Sequence, residues 1–552
     1  MKPKESGGPR AGLVLGRLLR NVAGIARDAA LAPFRRMAPR RWLAIRLDRG
    51  LPETSTAASW PAGRLQSPAL PTVLDALARA IPDPDLQGVL LRVGTSALGW
   101  ARIVALGRSV RALREAGKRV VVYAERTGNA GAWLGALADH FWVAPEGRID
   151  LIGIRAQSPY FRRALDRFGI RAEVLQAGRY KSFGEIFTRD SMSPETREAL
   201  EAVVDELYET LVEGLASGKA GSTEQARRWI DEGPYVAAEA LEIGLVDDLV
   251  YGDEIPGRLA GIDDPQRERA EARLLGPRTY LHLLPRAVPW QPIWGVPDRI
   301  VVVPIVGLLG AGAGSPRGVV GVLRRLARDD RVAGVVVRID SPGGDPLAAD
   351  LIWRAVRKVA ERKPIVASFG NTAASGGYYV ATGANAIISE ATTLTGSIGV
   401  VWAMPDLTGL LEEVGVRVDA VERGAHAGIY DPTRARTDEE RSRLRKQVDQ
   451  MYGDFVGRVA SGRGIEQERV REMAEGRVWT GAQAAELGLV DELGGLDRAV
   501  ARVRELAGLP PDGEAPEVAR GTRVSIWRSL GPEPIAAVSG LQLVCTTQVP
   551  LR

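Results

Sequence analysis

The sequence contains two copies of one pattern. The segment Gly88–Arg92 (GVLLR) reappears 246 positions later as Gly334–Arg338 (GVVVR), and this register holds without a gap for about ninety residues. After a shift to an offset of 244, the phrase GLVD at 244–247 recurs at 488–491. Chance does not keep register over such a length, so the 552 residues predict two copies of one domain.

Within each copy, short β-branched runs alternate with helical segments, which is typical of an α/β fold with a largely parallel sheet. In the second copy, the predicted strands are 300–306, 334–339, 365–368 and 386–388, and the predicted helices lie near 319–327, near 348–360 and after Ser375. We predict five regions: a basic leader at 1–41, an N-terminal repeat at 42–250, a Pro- and Arg-rich linker at 251–297, a C-terminal repeat at 298–505 and an unassigned tail at 506–552.

The positive charge of the chain is concentrated in its leader. The whole sequence has a formal net charge of +5, of which residues 1–41 carry +8, so the remainder is slightly acidic. A nucleic-acid partner therefore has little support.

The leader itself predicts an amphipathic helix. Apolar residues recur at helical spacing between Leu15 and Ala29, and charged residues fall on the opposite face. Arg17 and Arg20 interrupt the apolar run that a transmembrane helix or a secretory signal requires. Residues 11–41 therefore either lie on an anionic membrane surface or dock on the protein's own core or another subunit. The basic run at 35–41 favours the membrane surface.

Few residues are present for thiol or imidazole chemistry. The chain has a single cysteine, Cys545, and three histidines, His140, His282 and His426. Disulfide scaffolds and cysteine-based zinc or iron–sulfur sites are thereby excluded, and we expect neither a metal nor an organic cofactor.

The copies differ most informatively at the end of one predicted strand. The second copy has a Ser-Pro-Gly-Gly turn at 341–344, where the first copy has Thr-Ser-Ala-Leu at 95–98. Adjacent glycines let backbone amides point into a cavity at a strand end, where ligands bind in parallel sheets. We expect the amides of Gly343, Gly344 and Gly376 to form an oxyanion hole. A simple Pro-Gly turn remains the alternative.

Each copy has one of two reactive residues and lacks the other. The second copy has Ser375 among small residues before a predicted helix, where the first copy has Asn129; the first copy has Lys181, where the second has Ala427. A serine needs a base to become a nucleophile, so a dyad divided between the copies explains both differences. Such a lysine must be partly desolvated, so that its pKa falls from about 10.4 toward neutrality.

A third hydroxyl follows twenty-two residues after the serine. Ser397 belongs to the segment Thr-Gly-Ser-Ile-Gly at 395–399, and the equivalent segment of the first copy, Asp150–Ile154, has no hydroxyl. We therefore expect Ser397 to hydrogen-bond and orient the amine of Lys181.

These motifs resemble the tandem bacterial form of the signal peptide peptidase A family over roughly residues 42–505. The motifs are SPGG at 341–344, ASGGYY at 374–379, LTGSIG at 394–399, GRYKSFGEIF at 178–187 and VWTGAQAAELGLVDELG at 478–494. The resemblance implies duplicated ClpP/crotonase-like ββα superhelix domains. It also implies Ser375 as nucleophile, Lys181 as general base and Ser397 as the residue that contacts the lysine.

The resemblance further implies a membrane-associated bacterial homotetramer that cleaves remnant signal peptides and other hydrophobic or unfolded segments. Two other functions remain open at this stage. A crotonase-type acyl-CoA enzyme would share the superhelix but would not need the serine and lysine to be complementary. A non-catalytic scaffold would only assemble a ring.

Overall fold

The computed structural model describes most of the chain outside the leader and the tail. The described residues are 41–54, 68–96, 98–262, 271–284, 299–310, 315–511, 517–519 and 543–544, together with positions 18–19, 21–23, 25–26 and 29–30. Cys545 lies outside them.

Strands and helices alternate along the described chain. The strands are β1 (Arg41–Arg46), β2 (Leu86–Val93), β3 (Arg119–Gly128), β4 (His140–Asp150), β5 (Arg171–Ala177), β6 (Tyr235–Val236), β7 (Asp248–Leu249), β8 (Arg273–Leu275), β9 (Arg299–Val306), β10 (Val332–Ser341), β11 (Gly343–Gly344), β12 (Ile365–Ala374), β13 (Ala386–Ser389), β14 (Leu394–Gly396), β15 (Val400–Asp406), β16 (Val478–Thr480), β17 (Glu492–Leu493), β18 (Glu517–Val518) and β19 (Leu543–Val544).

The helices flank these strands. They are α1 (Leu70–Ala80), α2 (Trp100–Glu115), α3 (Asn129–Leu137), α4 (Arg162–Arg167), α5 (Glu185–Thr188), α6 (Pro194–Ala216), α7 (Thr223–Glu232), α8 (Ala237–Glu242), α9 (Ile255–Gly261), α10 (Pro277–Leu283), α11 (Pro316–Arg328), α12 (Pro346–Ala360), α13 (Gly376–Ala381), α14 (Thr408–Glu413), α15 (Asp438–Arg463), α16 (Gln467–Met473), α17 (Gly481–Glu486) and α18 (Leu496–Ala507).

Each copy forms its own sheet, and the prediction of a duplicated α/β fold is confirmed. The first sheet runs β6-β4-β3-β2-β1-β8 and the second runs β16-β14-β12-β10-β9-β18. The strands β1–β2–β3 and β9–β10–β12 pair in parallel. Strand bounds repeat at the predicted offset: β3, at 119–128, corresponds to β12, at 365–374. The central strands are buried because Val, Ile and Leu fill both of their faces.

One strand of the second sheet, β12, changes partners along its length. Its first half pairs with β10 and β13, whereas its last three residues pair with β14, and one of them, Ala373, still lies opposite Ser341 of β10. Strand β14 in turn pairs antiparallel with β16. The residue after β12, Ser375, therefore lies at the end of a central strand of the second sheet, directly before α13.

The two copies are joined by an antiparallel strand pair. Strand β5 of the first copy pairs with β15 of the second over seven residues, from Ala177 opposite Val400 to Arg171 opposite Asp406. A small apolar cluster from both copies covers this pair: Ala177, Val400, Trp402, Met404, Leu444 and Val448. The loop after β5 carries Lys181, so the pair brings that lysine toward the second copy.

Two segments differ from the simple predicted division into linker and tail. Part of the predicted linker extends the first sheet, because β8 pairs in parallel with β1. Part of the predicted tail extends the second sheet, because β18 pairs in parallel with β9, whereas β19 forms a separate two-stranded antiparallel sheet with β11. These strands have only two or three residues, which is too short for a visible apolar period.

The described positions of the leader are helical, as the spacing predicts. Their large apolar side chains are exposed rather than docked: Leu19 and Val22 are each 62% exposed, whereas Asn21 is buried. Among the described residues, no helix is long and apolar enough to cross a membrane.

Candidate functional site

Ser375 occupies a strained corner of the backbone. It is fully buried, and its φ of 53° lies in the left-handed region that residues with a side chain seldom adopt. Its N–H donates to the Gly396 carbonyl oxygen at 2.8 Å, which anchors the corner to β14. Such a conformation costs about 1–3 kcal/mol and persists only where surrounding contacts enforce it. The backbone contacts thereby fix the direction in which the Cα–Cβ bond of Ser375 points.

Lys181 reaches this serine from the other copy. It follows β5, and it is only 2% exposed. Its Nζ lies 3.0 Å from Ser375 Oγ and 2.9 Å from both the carbonyl oxygen and the Oγ of Ser397. The three side chains chosen from the sequence therefore meet at one buried point, although 194 residues separate the lysine from Ser375.

Ser397 holds the lysine through both its backbone and its side chain. Its φ of 50° is again left-handed, and its N–H donates to the Arg477 carbonyl oxygen at 2.7 Å. A methyl group built on Gly399, two residues later, would lie 3.2 Å from Lys181 Cδ. This loop thus fits closely around the lysine side chain and leaves little room for it to move.

A second loop of the C-terminal copy, at 475–477, holds the lysine backbone, and the sequence reasoning missed it. The Tyr180 N–H donates to the Glu475 carbonyl oxygen at 2.6 Å, and the Gly476 N–H donates to the Ile398 carbonyl oxygen at 2.9 Å. Glu475 has a φ of 47°, and a Cβ built on Gly476 would lie 2.5 Å from the backbone nitrogen of Lys181. The loop therefore connects the lysine segment to the Ser397 segment.

The expected oxyanion glycines lie beside the serine. A Cβ on Gly376 would lie 3.4 Å from the Gly343 Cα, so the two residues are close neighbours. Gly343 and Gly344 have φ values of 107° and 146°. The Gly343 N–H donates to Ser341 Oγ at 3.2 Å, so an incoming oxyanion would have to replace that hydrogen bond.

The short strand made by these glycines is already paired. Gly343 lies opposite Val544 and Gly344 lies opposite Leu543 in an antiparallel arrangement. On its other side, Gly344 forms a bridge with Leu309. The edge of the glycine turn can therefore accept an extended segment through backbone pairing.

The donor set at this point is an amine, two hydroxyls and backbone groups. Among the described residues, no group of three or more His, Cys, Asp or Glu side chains is placed to hold a metal ion. A buried amine hydrogen-bonded to a serine is instead the arrangement expected for a base beside its nucleophile.

Comparisons with known proteins match both copies to one family. The family model of Peptidase family S49 matches residues 112–261 and 357–510, one match in each copy. The serine protease SPPA of Arabidopsis thaliana chloroplasts is 31% identical over 453 residues, which are 80% of this chain and 66% of that protein. Protease 4 of Salmonella typhi is 30% identical over 461 residues, which are 81% of this chain and 73% of that protein.

Solved structures match this chain more distantly. ClpP1 from Listeria monocytogenes aligns with a TM-score of 0.23 at 16% identity, covering 35% of this chain and 91% of that chain. The two family matches together cover more than half of the sequence. The chain therefore belongs to Peptidase family S49 and is a serine-type peptidase of the tandem-domain kind.

Proposed function

We propose that the chain is an endopeptidase whose single site is divided between its two copies, with Ser375 as nucleophile and Lys181 as general base. The observation that carries this proposal is the 3.0 Å hydrogen bond between Lys181 Nζ and Ser375 Oγ, made in a buried position. Burial disfavours the charged ammonium. A neutral amine can donate to the two oxygens of Ser397 and accept the hydroxyl proton of Ser375.

In the first half of the proposed reaction, Ser375 Oγ attacks the carbonyl carbon of the scissile peptide bond while its proton moves to Lys181 Nζ. The carbonyl oxygen becomes an oxyanion, which the amides of Gly376 and of the Gly343–Gly344 turn stabilise. The carbon–nitrogen bond then breaks, and Lys181 returns the proton to the leaving amine. An acyl ester on Ser375 remains.

In the second half, a water molecule attacks the ester carbonyl and gives a proton to Lys181. The oxyanion forms again at the same amides, the ester bond breaks, and the proton passes to Ser375 Oγ. Throughout, Ser397 orients the amine through its carbonyl oxygen and its hydroxyl. Every proton transfer uses the same buried nitrogen, so the site needs no histidine.

We propose extended, apolar peptide segments, including remnant signal peptides, as substrates. One relative, 38% identical over 173 residues and from Enterococcus faecium, is named a putative signal peptide peptidase. The pairing of Gly343–Gly344 with 543–544 supports an extended backbone at the glycine edge. Near that edge, the large apolar side chains of Leu308, Leu347 and Leu351 are exposed and offer contacts to apolar residues.

A ring of several chains is supported by two unpaired segments. The copy-two equivalent of β5 is 417–423, and the copy-one equivalent of β15 is 154–160; within the described residues neither pairs with a strand. In 417–423, Val418 and Val421 are 52% and 90% exposed. We propose that 417–423 of one chain pairs with 154–160 of the next. This head-to-tail contact repeats the internal β5–β15 pair and closes a ring, expected to be a homotetramer.

Peripheral association with the surface of a bacterial cell membrane is the proposed role of the leader. The exposed Leu18, Leu19, Val22 and Ile25 support a peripheral contact, because their apolar face is not buried against the protein. The basic residues of 1–41 would add attraction to anionic lipids.

The experiment that tests the site combines labelling with hydrolysis. Wild type, Ser375→Ala and Lys181→Ala are treated with a fluorophosphonate probe, with a library of apolar peptides as competitor. We expect rapid labelling of wild type at Ser375, competition by peptides, and no hydrolysis by either variant. A wild-type protein that is not labelled at Ser375 would support a non-catalytic scaffold, and tight acyl-CoA binding without peptide cleavage would support a crotonase-type enzyme.

The experiment that tests the ring measures molar mass by light scattering. Val418→Lys places a charge in the unpaired segment and should reduce the mass to that of smaller species. Val236→Lys is the matched control, because Val236 is 53% exposed but lies on β6. An unchanged mass for Val418→Lys would contradict the proposed pairing.

A further inference from the structure

Four charged side chains form a cluster between the copies. Glu53 and Arg102 come from the first copy, and Arg338 and Asp340 come from the second. The Glu53 carboxylate accepts hydrogen bonds from Arg338 Nε at 3.0 Å and from Arg102 Nε at 3.1 Å. Arg102 Nη2 donates a further hydrogen bond to Asp340 Oδ2. Glu53 and Arg338 are each only 3% exposed. Two cations and two carboxylates therefore share one desolvated space.

Asp340 connects this cluster to both parts of the site. It directly precedes Ser341 and the Gly343–Gly344 turn on β10. Its Oδ1 accepts the Thr372 N–H at 3.1 Å, and Thr372 lies three residues before Ser375 on β12. One carboxylate thus sets the distance between the strand that leads to the oxyanion turn and the strand that leads to the nucleophile.

Arg102 also contacts the β12 side directly. Its backbone N–H donates to Asn371 Oδ1 at 3.3 Å, and Asn371 Nδ2 donates to the Leu98 carbonyl oxygen at 3.1 Å. A Cβ on Gly99 would lie 2.1 Å from Asn371 Nδ2, so the start of α2 packs closely on this asparagine. The first turn of α2 therefore touches the ends of both strands that carry the site.

The copies differ at these positions in the same complementary way as they differ at the dyad. At the offset of 246, Arg102 corresponds to Ala348 and Asp340 corresponds to Gly94. The arginine is therefore present only in the first copy, where its guanidinium contacts Asp340 of the second copy. We propose that Arg102 is a positioning residue of the peptidase reaction, which holds Asp340 so that the oxyanion turn and Ser375 keep their relative placement. This inference rests on the proposed function.

The charges around Arg102 explain why lysine would be a poor replacement. Burial raises the pKa of Glu53, but Arg338 and Arg102 outweigh it and hold that pKa below its usual range. Burial also raises the pKa of Asp340, and Arg102 acts against that rise. A guanidinium can bridge both carboxylates with separate N–H groups, whereas an ammonium is a single point of charge.

The test compares two arginines on the same helix. Arg102→Ala and Arg102→Lys are measured beside Arg108→Ala, because Arg108 also joins the copies, through Glu390 at 2.5 and 2.6 Å. For each protein, kcat, KM, the rate of fluorophosphonate labelling and the melting temperature are determined with the full chain. Asp340→Asn provides a second route to the same contact if Arg102→Ala does not fold.

We expect Arg102→Ala to lower kcat and the labelling rate by about 10- to 100-fold with KM nearly unchanged, because small displacements of reacting groups have effects of that size. Arg102→Lys should recover part of kcat, and Arg108→Ala should lower the melting temperature without lowering kcat. Arg102→Ala or Asp340→Asn with wild-type kcat, or equal losses of kcat in the Arg102 and Arg108 variants, would overturn the proposal. A failure of the proposed function is recognised separately, because wild type itself would then not hydrolyse peptides.

Discussion

Replacement of Lys181 by methionine tests the proposed base with little change in shape. Methionine is unbranched like lysine and ends in a methyl group near the position of the lysine Cε, so it lacks the amine that contacts Ser375 and Ser397. General base catalysis contributes about 10²- to 10⁴-fold, and a nucleophile without its base loses most of its reactivity. We therefore expect kcat for peptide hydrolysis to fall by at least about 10³-fold.

The effect of Lys181→Met on stability should be small, because two contributions oppose each other. Three hydrogen bonds to the amine disappear, at about 1 kcal/mol each. In return, the amine of a lysine that is 2% exposed no longer has to be desolvated, and the apolar methionine fills most of the space of the lysine side chain. The hydroxyls of Ser375 and Ser397 can also rotate toward other acceptors. We expect the free energy of unfolding to change by less than about 2 kcal/mol.

The assay measures peptide hydrolysis and chemical unfolding on the same preparations. Lys219→Met is the matched control, because Lys219 belongs to the same copy but pairs with Asp247 at 2.7 Å. In wild type, kcat/KM should rise with pH, since only the neutral amine accepts a proton, and its midpoint should lie below the ordinary lysine pKa of about 10.4. Folded Lys181→Met with more than a tenth of wild-type kcat would refute Lys181 as the base.

Three further predictions concern orientation, acid stability and the tail. Ser397→Ala should lower kcat by about tenfold, less than loss of the base, because the Ser397 carbonyl oxygen still holds the amine; an unchanged kcat would remove the hydroxyl from the site. Arg434 hydrogen bonds hold the pKa of Glu440 at about 2. Because an unfolded glutamate titrates near 4.3, this stabilisation is complete above that pH and is lost as pH falls toward 2. Denaturant titration of Glu440→Gln should therefore show a loss of about 1–3 kcal/mol at pH 7 and little loss at pH 2. Deletion of residues 541–552 removes the strand paired with Gly343–Gly344 and should lower KM for peptides by about twofold or more; an unchanged KM would show that this pairing does not compete with substrate.

The sequence predicts the pair of Ser375 and Lys181 because its two copies can be compared position by position. Ser375 and Lys181 are each unremarkable alone, but their counterparts Asn129 and Ala427 lack the same chemistry. Packing demands are common to both copies, so a difference between them points to the site. The sequence predicts a strand at 365–368 and a helix after Ser375; the structure extends that strand to Ala374 and brings Lys181 within 3.0 Å of the serine.

Most of the other contacts between the copies could not be predicted in this way. The 475–477 loop reaches Tyr180 across almost 300 residues, and Glu53 reaches Arg338 across 285. Such contacts depend on how two finished domains dock, which the apolar period does not encode and which a comparison of the copies indicates only where residues are lost in a complementary way. The β5–β15 pair is a partial exception, because its two segments have unpaired equivalents that suggest a second use of the same contact.

Asn129 explains why one copy can fold without the dyad. Its Nδ2 donates to the Gly153 carbonyl oxygen at 2.7 Å, and its Oδ1 accepts the Ile152 N–H at 3.1 Å. Ile152 and Gly153 correspond to Ile398 and Gly399, the loop that surrounds the lysine in the second copy. In the first copy, the side chain at the nucleophile position therefore ties this loop down.

In the second copy, the equivalent loop is held by groups other than the side chain at position 375. The 475–477 loop holds the same segment through the carbonyl oxygen of Arg477 and the N–H of Gly476, and Lys181 contacts Ser397 from the other copy. The Ser375 side chain is therefore not needed to hold this loop, and its hydroxyl contacts Lys181 Nζ instead. A serine hydroxyl is too short to make both hydrogen bonds of an asparagine amide. A serine at this position therefore requires another support for the loop, which the 475–477 segment of the same copy supplies, and the docked first copy adds Lys181, the proposed base.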